Sequence, residues 1–99
     1  MWVEFADHPE VGKVRPVIIT HVDQHALQGI AVKVTSNITW NEPGDVLLVD
    51  WEQEGLYKPS LARCSQSFEF QVQDLYEKFG VLSDTDIRRL TQALRSIGL

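Results

Sequence analysis

The chain has a single cysteine, Cys64, among its 99 residues. One cysteine cannot form an internal disulfide or a cysteine-rich zinc site, so disulfide scaffolds and zinc ribbons are both excluded. No apolar run approaches the roughly 20 residues that a membrane helix needs, and the first residues lack the cationic and apolar pattern of a secretion signal. We therefore expect a cytoplasmic protein in a reducing compartment, with no membrane partner.

Basic residues are also scarce. Nine Lys and Arg oppose fourteen Asp and Glu, and the formal net charge is -5 at pH 7. A protein that coats nucleic acid nonspecifically relies on a broad basic surface, so this class is disfavoured, although a local cationic cleft is compatible with the composition. With 43% hydrophobic and 23% charged residues, the chain is typical of a soluble globular protein. Its length predicts one domain over residues 1–99.

The sequence lacks the motifs of several common catalytic sites. His8, His21 and His25 show no helical H-x-x-x-H spacing, which disfavours a hydrolytic metal site. Neither Cys64 nor the neighbouring serines belong to a nucleophile elbow, and there is no glycine-rich phosphate loop. Metal-dependent and nucleotide-driven reactions are both disfavoured, and we expect no cofactor.

Short apolar stretches between turn residues predict a mainly β protein with one helix. We predict strands at 1–5, 15–22, 29–35, 45–50, 61–66 and 81–82, and the strand at 61–66 either continues through 68–72 or pairs with it. The segments 7–12, 36–44 and 51–59 are predicted as loops, and 73–79 is compatible with a helical turn that Gly80 ends. Several short strands followed by one amphipathic helix indicate a small, strongly bent antiparallel barrel with a C-terminal helix packed on it.

The C-terminal segment has the clearest helical pattern. The Ser83 hydroxyl can accept from the amide three residues on, and Asp86 can reach back to the Ser83 amide, which together would form a capping box. Apolar residues then recur at helical spacing, at Ile87, Leu90, Leu94 and Ile97. We therefore predict an amphipathic helix after Ser83.

The stretch from Gly12 to Thr20 joins a loop to an apolar strand. Pro16 lacks an N–H and suits the first residue of a strand, and it pushes Arg15 toward extended geometry. This junction holds the Arg15 guanidinium at the rim of a sheet, where it can bind a phosphate or carboxylate bidentately. On this stretch alone, an ordinary surface salt bridge is the better interpretation.

A second strand end supplies a hydroxyl group. Alternation along 29–35 places Lys33 and Thr35 on one face of the strand. Arg15 and Thr35, with Lys13 and Lys33 near them in sequence, suit the stabilisation of a phosphate that gains negative charge in a transition state. RNA carries its own nucleophile, the 2′-hydroxyl, so such a site would need no metal or cofactor.

Four segments, in this order, resemble the PemK/MazF family of bacterial toxin ribonucleases. They are residues 13–18 (K-V-R-P-V-I), 34–36 (V-T-S), 50–60 and 79–83 (F-G-V-L-S). The third is similar to the family's D-W-x-x-x-G-L-x-x-P-S segment, and the fourth leads into the amphipathic helix. The resemblance runs from Trp2 to about Leu94.

The resemblance implies an SH3-like barrel, usually a homodimer, that cuts single-stranded RNA without metal and leaves a cyclic phosphate and a 5′-hydroxyl. A small antitoxin protein would hold it inactive. Arg15 matches the family's catalytic arginine, and Thr35 matches its catalytic threonine. The residues that we expect to bind RNA are Lys13, Lys33, Ser36 and Trp40. Trp40 suits either stacking on an unpaired base or closing one end of the barrel, and we give both equal weight.

The chain departs from the family pattern in two places. It lacks the usual G-D lead-in before the first strand, and residues 66–68 contain no arginine, which some members carry there. The preferred cut sequence is therefore not inherited from the resemblance. Lys58 and Arg63 are expected either to contact the RNA backbone or to be exposed charges without measurable effect. An exposed Phe68 or Phe70 would instead line the groove where an antitoxin docks.

The proton acceptor for RNA cleavage is left open by the sequence. Arginine side chains stay protonated at neutral pH and are poor bases, so we expect Arg15 to stabilise the phosphorane while Thr35 donates to a nonbridging oxygen. The candidate acceptors are His8, Glu10, His21 and water.

Two functions of other classes remain open at the level of sequence. The first is a protein-binding growth inhibitor of the gyrase-poison kind, whose fold resembles this family's and whose function would lie in the C-terminal helix. The second is a non-catalytic adaptor or structural module.

Overall fold

The computed structural model describes residues 4–10, 13–39, 42–75 and 78–98. Its strands are β1 (Glu4–Glu10), β2 (Lys13–Asp23), β3 (Gln28–Thr35), β4 (Asp45–Leu47), β5 (Leu61–Gln71) and β6 (Lys78–Val81). A short 3-10 helix covers Val72–Asp74, and helix α1 covers Asp84–Ser96. The six strands form one antiparallel sheet that curls into a half-barrel, which confirms the predicted mainly β, SH3-like class with a C-terminal helix. Within the described ranges, no helix is long and apolar enough to cross a membrane.

The strand order in the sheet is β4-β5-β3-β2-β1-β6. β2 and β3 form a hairpin in which Val17 pairs with Lys33 and Ile19 pairs with Ala31. In an antiparallel pair, each step toward the start of one strand is a step toward the end of the other. The register therefore brings the beginning of β2 and the end of β3 to the same end of the hairpin.

Apolar side chains pack on both faces of this sheet. One face packs against α1 and carries Ile18 and Val32, whose neighbours in this core include Leu90 and Leu94 of the helix. Each fully buried side chain of this size contributes about 1.5–3 kcal/mol, so α1 holds the sheet firmly on this side. The other face has a second, smaller cluster, and its members are Ala6, Val17, Ile19, Ala31 and Phe70.

The expectation that Phe68 or Phe70 is exposed is wrong. Phe70 is buried in the smaller cluster, and Phe68 is half-buried against it. Alternation along β5 places both rings on the same sheet face.

The beginning of α1 differs in part from the predicted capping box. The Ser83 hydroxyl accepts from the Asp86 N–H at 3.2 Å, as expected. The Ser83 N–H, however, donates to Glu54 Oε2 at 2.7 Å. The Asp86 carboxylate instead accepts from the N–H groups of Val49 and Asp50, at 3.0 and 3.1 Å. Two buried acids therefore join the helix start to the loop that follows β4.

These bonds explain why β4 is shorter than predicted. The apolar run suggested a strand over 45–50, but β4 ends at Leu47. The N–H groups of Val49 and Asp50 bind a side chain that lies 36 or 37 residues further along the chain. A hydrogen bond to a residue so distant in sequence cannot be predicted from the local sequence pattern.

Two other predicted boundaries are wrong. Residues 7–10 were predicted as a loop but belong to β1, where Pro9 pairs with Val14. β1 pairs with β6 at Glu4 to Ala6 among the described residues, so Pro9 occupies a stretch paired on one side, where a missing N–H is tolerated.

The helical turn at 73–79 is reduced to the 3-10 helix, and Gly80 lies inside β6 rather than ending an element. Residues 1–3 and 76–77 lie outside the described ranges.

Arg63 ties β5 to β4 and to the loop that precedes β4. Its Nε lies 3.2 Å from Asp45 Oδ1, and its Nη2 lies 2.8 Å from Glu42 Oε2. The side chains of Arg63 and Asp45 are 9% and 2% exposed, whereas that of Glu42 is 61% exposed. Arg63 is thus a buried cation bound by two carboxylates, and the expectation that its charge is exposed is wrong.

Removal of the buried partner should destabilise the fold strongly. Asp45→Ala leaves the Arg63 guanidinium buried beside one exposed carboxylate, and we expect a loss of about 3 kcal/mol in the free energy of unfolding. Glu42→Gln removes the exposed partner and should cost less than about 1 kcal/mol. Urea unfolding of both variants measures the difference, and equal losses would contradict this assignment of the buried pair.

Glu54 is 2% exposed and has a perturbed ionisation. Burial, the largest cause, and the nearby Asp86 carboxylate together raise the pKa of its carboxyl to about 7, although the hydrogen bond from the Ser83 N–H lowers it. Within the described part of the chain, Glu54 Oε1 has no hydrogen-bond partner. A protonated Glu54 is therefore the form that this environment favours below neutral pH.

Stability should fall as pH rises from about 4.5 to about 7. In this range the folded protein retains a proton on Glu54 that the unfolded chain releases, so the slope is negative and at most about 1.4 kcal/mol per pH unit from this group. Glu54→Gln keeps an acceptor for the Ser83 N–H and cannot ionise, so it should flatten the decline. Urea midpoints measured across this range test the prediction. The matched control is Glu52→Gln, an exposed residue of the same loop, which should retain the wild-type slope; a wild-type slope in Glu54→Gln would contradict it.

Candidate active site

A cavity of about 250 Å³ opens where β2 begins and β3 ends. Its lining residues are Arg15, Pro16, Val17, Lys33, Val34, Thr35, Arg63 and Gln66. We call this space the strand-end cavity. It brings together the two residues that the sequence predicted as catalytic, Arg15 and Thr35.

The register of the β2–β3 hairpin explains why these two residues meet. The ladder between the two strands stops at the pair Val17 and Lys33. Arg15 lies two residues before Val17, and Thr35 lies two residues after Lys33, so all four side chains are on one sheet face. Since the ladder stops two positions before them, Arg15 and Thr35 line the opening between the two strands.

Thr35 is oriented by the backbone that follows it. Its Oγ1 accepts a hydrogen bond from the Asn37 N–H at 3.1 Å, an arrangement typical of a threonine at a turn. This bond occupies one lone pair of the hydroxyl oxygen and leaves the hydroxyl hydrogen to donate. The half-buried Thr35 can therefore act as a donor toward an anion in the cavity.

Arg15 supplies a fixed positive charge to the cavity. Its side chain is half-buried, and no carboxylate among the described side chains forms a salt bridge with it. The side chains of residues 8–10, on the neighbouring strand β1, lie outside the described set. The guanidinium presents a planar fork of donors, which matches two oxygens of a phosphate.

The remaining residues predicted to bind RNA have different positions. Lys33 is exposed and lines the cavity, opposite Arg63 in the β3–β5 register. Ser36 is exposed and follows Thr35 directly, but it is not among the lining residues. Lys13 belongs to β2, where its backbone pairs with Glu10; its side chain lies outside the described set, and so does all of Trp40.

Gln66 lines the cavity although sequence reasoning did not find it. Lys33 pairs with Arg63, yet the adjacent Val32 pairs with Ser67, so β5 is bulged between these two pairs. The bulge changes which residues of β5 face the cavity. Simple alternation from Arg63 would have selected Ser65 instead, and no local signal in the sequence marks the change.

The cavity has a positive electrostatic character. Three of its eight described lining residues are cationic, and none of the eight is acidic. The Arg63 charge is balanced by Asp45 and Glu42, so Arg15 and Lys33 contribute most of the attraction for an anion. A small cavity with a guanidinium, an ammonium, a hydroxyl and an amide suits a phosphate and an attached polar group.

Two other candidate reactive groups are separate from this site. Cys64 is fully buried, and burial followed by the Asp45 charge raises the pKa of its thiol to about 11, so it stays protonated. His21 lies six residues beyond Arg15 on β2, about 20 Å along an extended strand, and lines a different hollow with Asp23, Gln28 and Glu69. Within one chain it is too distant to accept a proton in the strand-end cavity.

Over the described ranges, no three His, Cys, Asp or Glu side chains are grouped so that they could hold a metal ion.

Comparisons with known proteins identify relatives with the same fold. The structure of an endoribonuclease in complex with its cognate antitoxin, from a mycobacterial species, is similar with a TM-score of 0.82 and 15% identity, over 97% of this chain and 92% of that chain. The Mycobacterium tuberculosis toxin MazF-mt6 is similar with a TM-score of 0.77 and 21% identity, over 97% of this chain and 94% of that chain. At these identities the likeness shows the fold. No curated protein has a significant match to the sequence.

A family model provides the assignment that the structural likeness alone does not. The model describes the PemK-like, MazF-like toxin of type II toxin-antitoxin systems, and it matches residues 1–98. The match includes both strands of the hairpin that forms the strand-end cavity and extends through α1. The chain therefore belongs to the family of PemK-like, MazF-like toxins of type II toxin-antitoxin systems.

Proposed function

We propose that this toxin is an endoribonuclease that cuts single-stranded RNA, leaves a 2′,3′-cyclic phosphate and a 5′-hydroxyl, and thereby inhibits translation and growth. The observation that carries the proposal is the strand-end cavity, in which Arg15 and Thr35 lie together on one sheet face. An endoribonuclease with a similar fold adds support for the reaction class.

The reaction would use groups that RNA itself provides. The 2′-hydroxyl loses its proton to an acceptor, the 2′-oxygen attacks the adjacent phosphorus, and the bond from phosphorus to the 5′-oxygen breaks. The departing 5′-oxygen takes a proton from water or from the group that accepted the first one. Negative charge accumulates on the nonbridging oxygens of the phosphorane. The Arg15 fork would bind these oxygens, and the Thr35 hydroxyl would donate to one of them, since donors placed at developing charge give large rate effects.

The proton from the 2′-hydroxyl needs an acceptor other than Arg15. An arginine stays protonated at neutral pH, and the Thr35 hydroxyl already acts as a donor in this proposal. Strand β1 supplies the nearest candidates in the ladder, because His8 pairs with Arg15 and Glu10 lies two residues further on. We propose that one of these two side chains, or a water molecule, accepts the proton.

The proposed partners follow from the family. One structural relative was solved with its cognate antitoxin, which supports a small antitoxin protein that would hold this toxin inactive. We also propose a homodimer and no cofactor. In the alternative, a gyrase poison that acts through the C-terminal helix, the polar face of α1 would be the recognition element, since Leu90 and Leu94 are buried against the sheet.

Substitution of either proposed catalytic residue should abolish most of the RNA cleavage. Arg15→Ala and Thr35→Val should each lower kcat/KM about 100-fold or more, because each removes a donor to the phosphorane. Thr35→Ser retains the hydroxyl and should stay within about tenfold of wild type. Cleavage of a labelled mixed-sequence single-stranded RNA in EDTA, with chemical mapping of the new ends, measures these effects.

Arg88→Ala is the matched control for Arg15→Ala, since Arg88 is exposed on α1 and does not line the cavity. It should cut at the wild-type rate. A folded wild-type protein that leaves the RNA intact, or undiminished cleavage by Arg15→Ala and Thr35→Val, would overturn the proposed function.

A further inference from the structure

We propose that Gln66 reads the edge of a nucleobase next to the phosphate bound by Arg15 and Thr35, and thereby sets the base preference of the site. The inference rests on the proposed function for its ligand class, single-stranded RNA. It adds a specificity-determining residue to that site.

The bulge in β5 places Gln66 in the strand-end cavity. Arg63 pairs with Lys33 and Ser67 pairs with Val32, so the three residues 64–66 have no partners of their own in β3. Cys64 turns into the core, where it is fully buried, and Gln66 lines the cavity. In a regular strand, alternation from Arg63 would put Gln66 on the core face instead.

This bulge is a fixed part of the sheet. The Cys64 N–H donates to the Gly44 carbonyl at 3.0 Å, so the start of the bulged segment is bonded to the turn that precedes β4. Gly44 has a φ of 89°, and a Cβ at this position would lie 3.2 Å from the Ser65 amide nitrogen. Glycine is the residue that fits both the positive φ and the close approach. The bulged backbone and the glycine beside it together hold Gln66 at the cavity.

The Gln66 side chain is available to a ligand. It is exposed, and its amide makes no hydrogen bond to any other described residue. The neighbouring Arg63, in contrast, is already bound by Asp45 and Glu42. Gln66 is therefore a polar lining residue whose donor and acceptor are both uncommitted among the described side chains.

The chemistry of an amide matches a base better than a phosphate. A phosphate offers acceptors alone, and Arg15 supplies charged donors for it. A glutamine offers a donor and an acceptor side by side, the combination found on the edges of nucleobases. Bases in single-stranded RNA are unstacked and present these edges to proteins. Because Gln66 and Arg15 share one small cavity, a base attached to the bound phosphate would be within reach of the amide.

The test compares the binding of two probes that differ in one edge of the base. The probes are 2′-O-methyl oligocytidylate and 2′-O-methyl oligouridylate, and the methyl group blocks the nucleophile so that binding is measured without cleavage. Gln66→Glu leaves an acceptor-only side chain, which can accept from the amino group at position 4 of cytosine but loses the donor that glutamine offers to the O4 carbonyl of uracil. If Gln66 contacts this edge of the base, the ratio of cytidylate to uridylate affinity should rise about fivefold or more in this variant.

The matched control is Gln71→Glu, which makes the same charge change at an exposed position near the end of the same strand. It should leave the ratio of the two affinities at its wild-type value, even if the added negative charge weakens both. An unchanged ratio in folded Gln66→Glu, an equal change in both variants, or the failure of both probes to bind wild type would overturn the inference. These results are independent of cleavage, so a wild-type protein that binds the probes but leaves unmodified RNA intact would overturn the proposed reaction and not the role of Gln66.

Discussion

The antiparallel register between β2 and β3 is the constraint on which the candidate site depends. Val17 pairs with Lys33, and this pairing determines that Arg15 and Thr35, twenty positions apart in the chain, lie at one end of the hairpin and on one sheet face. A shift of one residue would move one of the two side chains to the core face. The buried residues Ile18 and Val32, which pack toward α1, oppose such a shift.

Buried charges stabilise the loops around this hairpin. Arg63 and Asp45 fix β5 to β4 beside the cavity, and Glu54 and Asp86 join the loop after β4 to the start of α1. Each of these groups loses its hydration on folding, and hydrogen bonds or an opposite charge compensate for that loss. Removal of one partner therefore lowers the free energy of unfolding strongly, because the other group stays buried without compensation. Glu54 is the exception, since burial and the Asp86 carboxylate favour its neutral form. The loops therefore derive their order from specific polar bonds as well as from apolar contacts.

Much of the fold was predictable from the sequence because the signals are local. Strand alternation, a Ser83 cap and apolar residues at helical spacing gave the mainly β class and α1. Arg15 and Thr35 were found because each stands at the end of an apolar strand. The strand pattern marks these two positions, but their assignment as a catalytic pair also relied on the resemblance of four ordered motifs.

The parts that were missed depend on contacts between distant residues. β4 is short because the Asp86 carboxylate accepts from the two amides that follow Leu48. Residues 7–10 continue β1 through pairing with β2, and among the described residues Pro9 has no partner on the β6 side. Gln66 was not predicted as a site residue because a bulge reverses the alternation of β5. The sequence predicts that Arg63 is a surface cation, whereas in the structure it is buried and bound by Asp45 and Glu42.

A double-mutant cycle on RNA cleavage tests most directly whether Arg15 and Thr35 act on the same phosphate. kcat/KM is measured for wild type, Arg15→Ala, Thr35→Val and the double variant, and the free energies of transition-state stabilisation are compared. Two groups that bind one phosphorane should show a coupling of about 1 kcal/mol or more, so that the double variant loses less than the sum of the single losses. Strictly additive losses would contradict a shared site and would mean that the two side chains act independently.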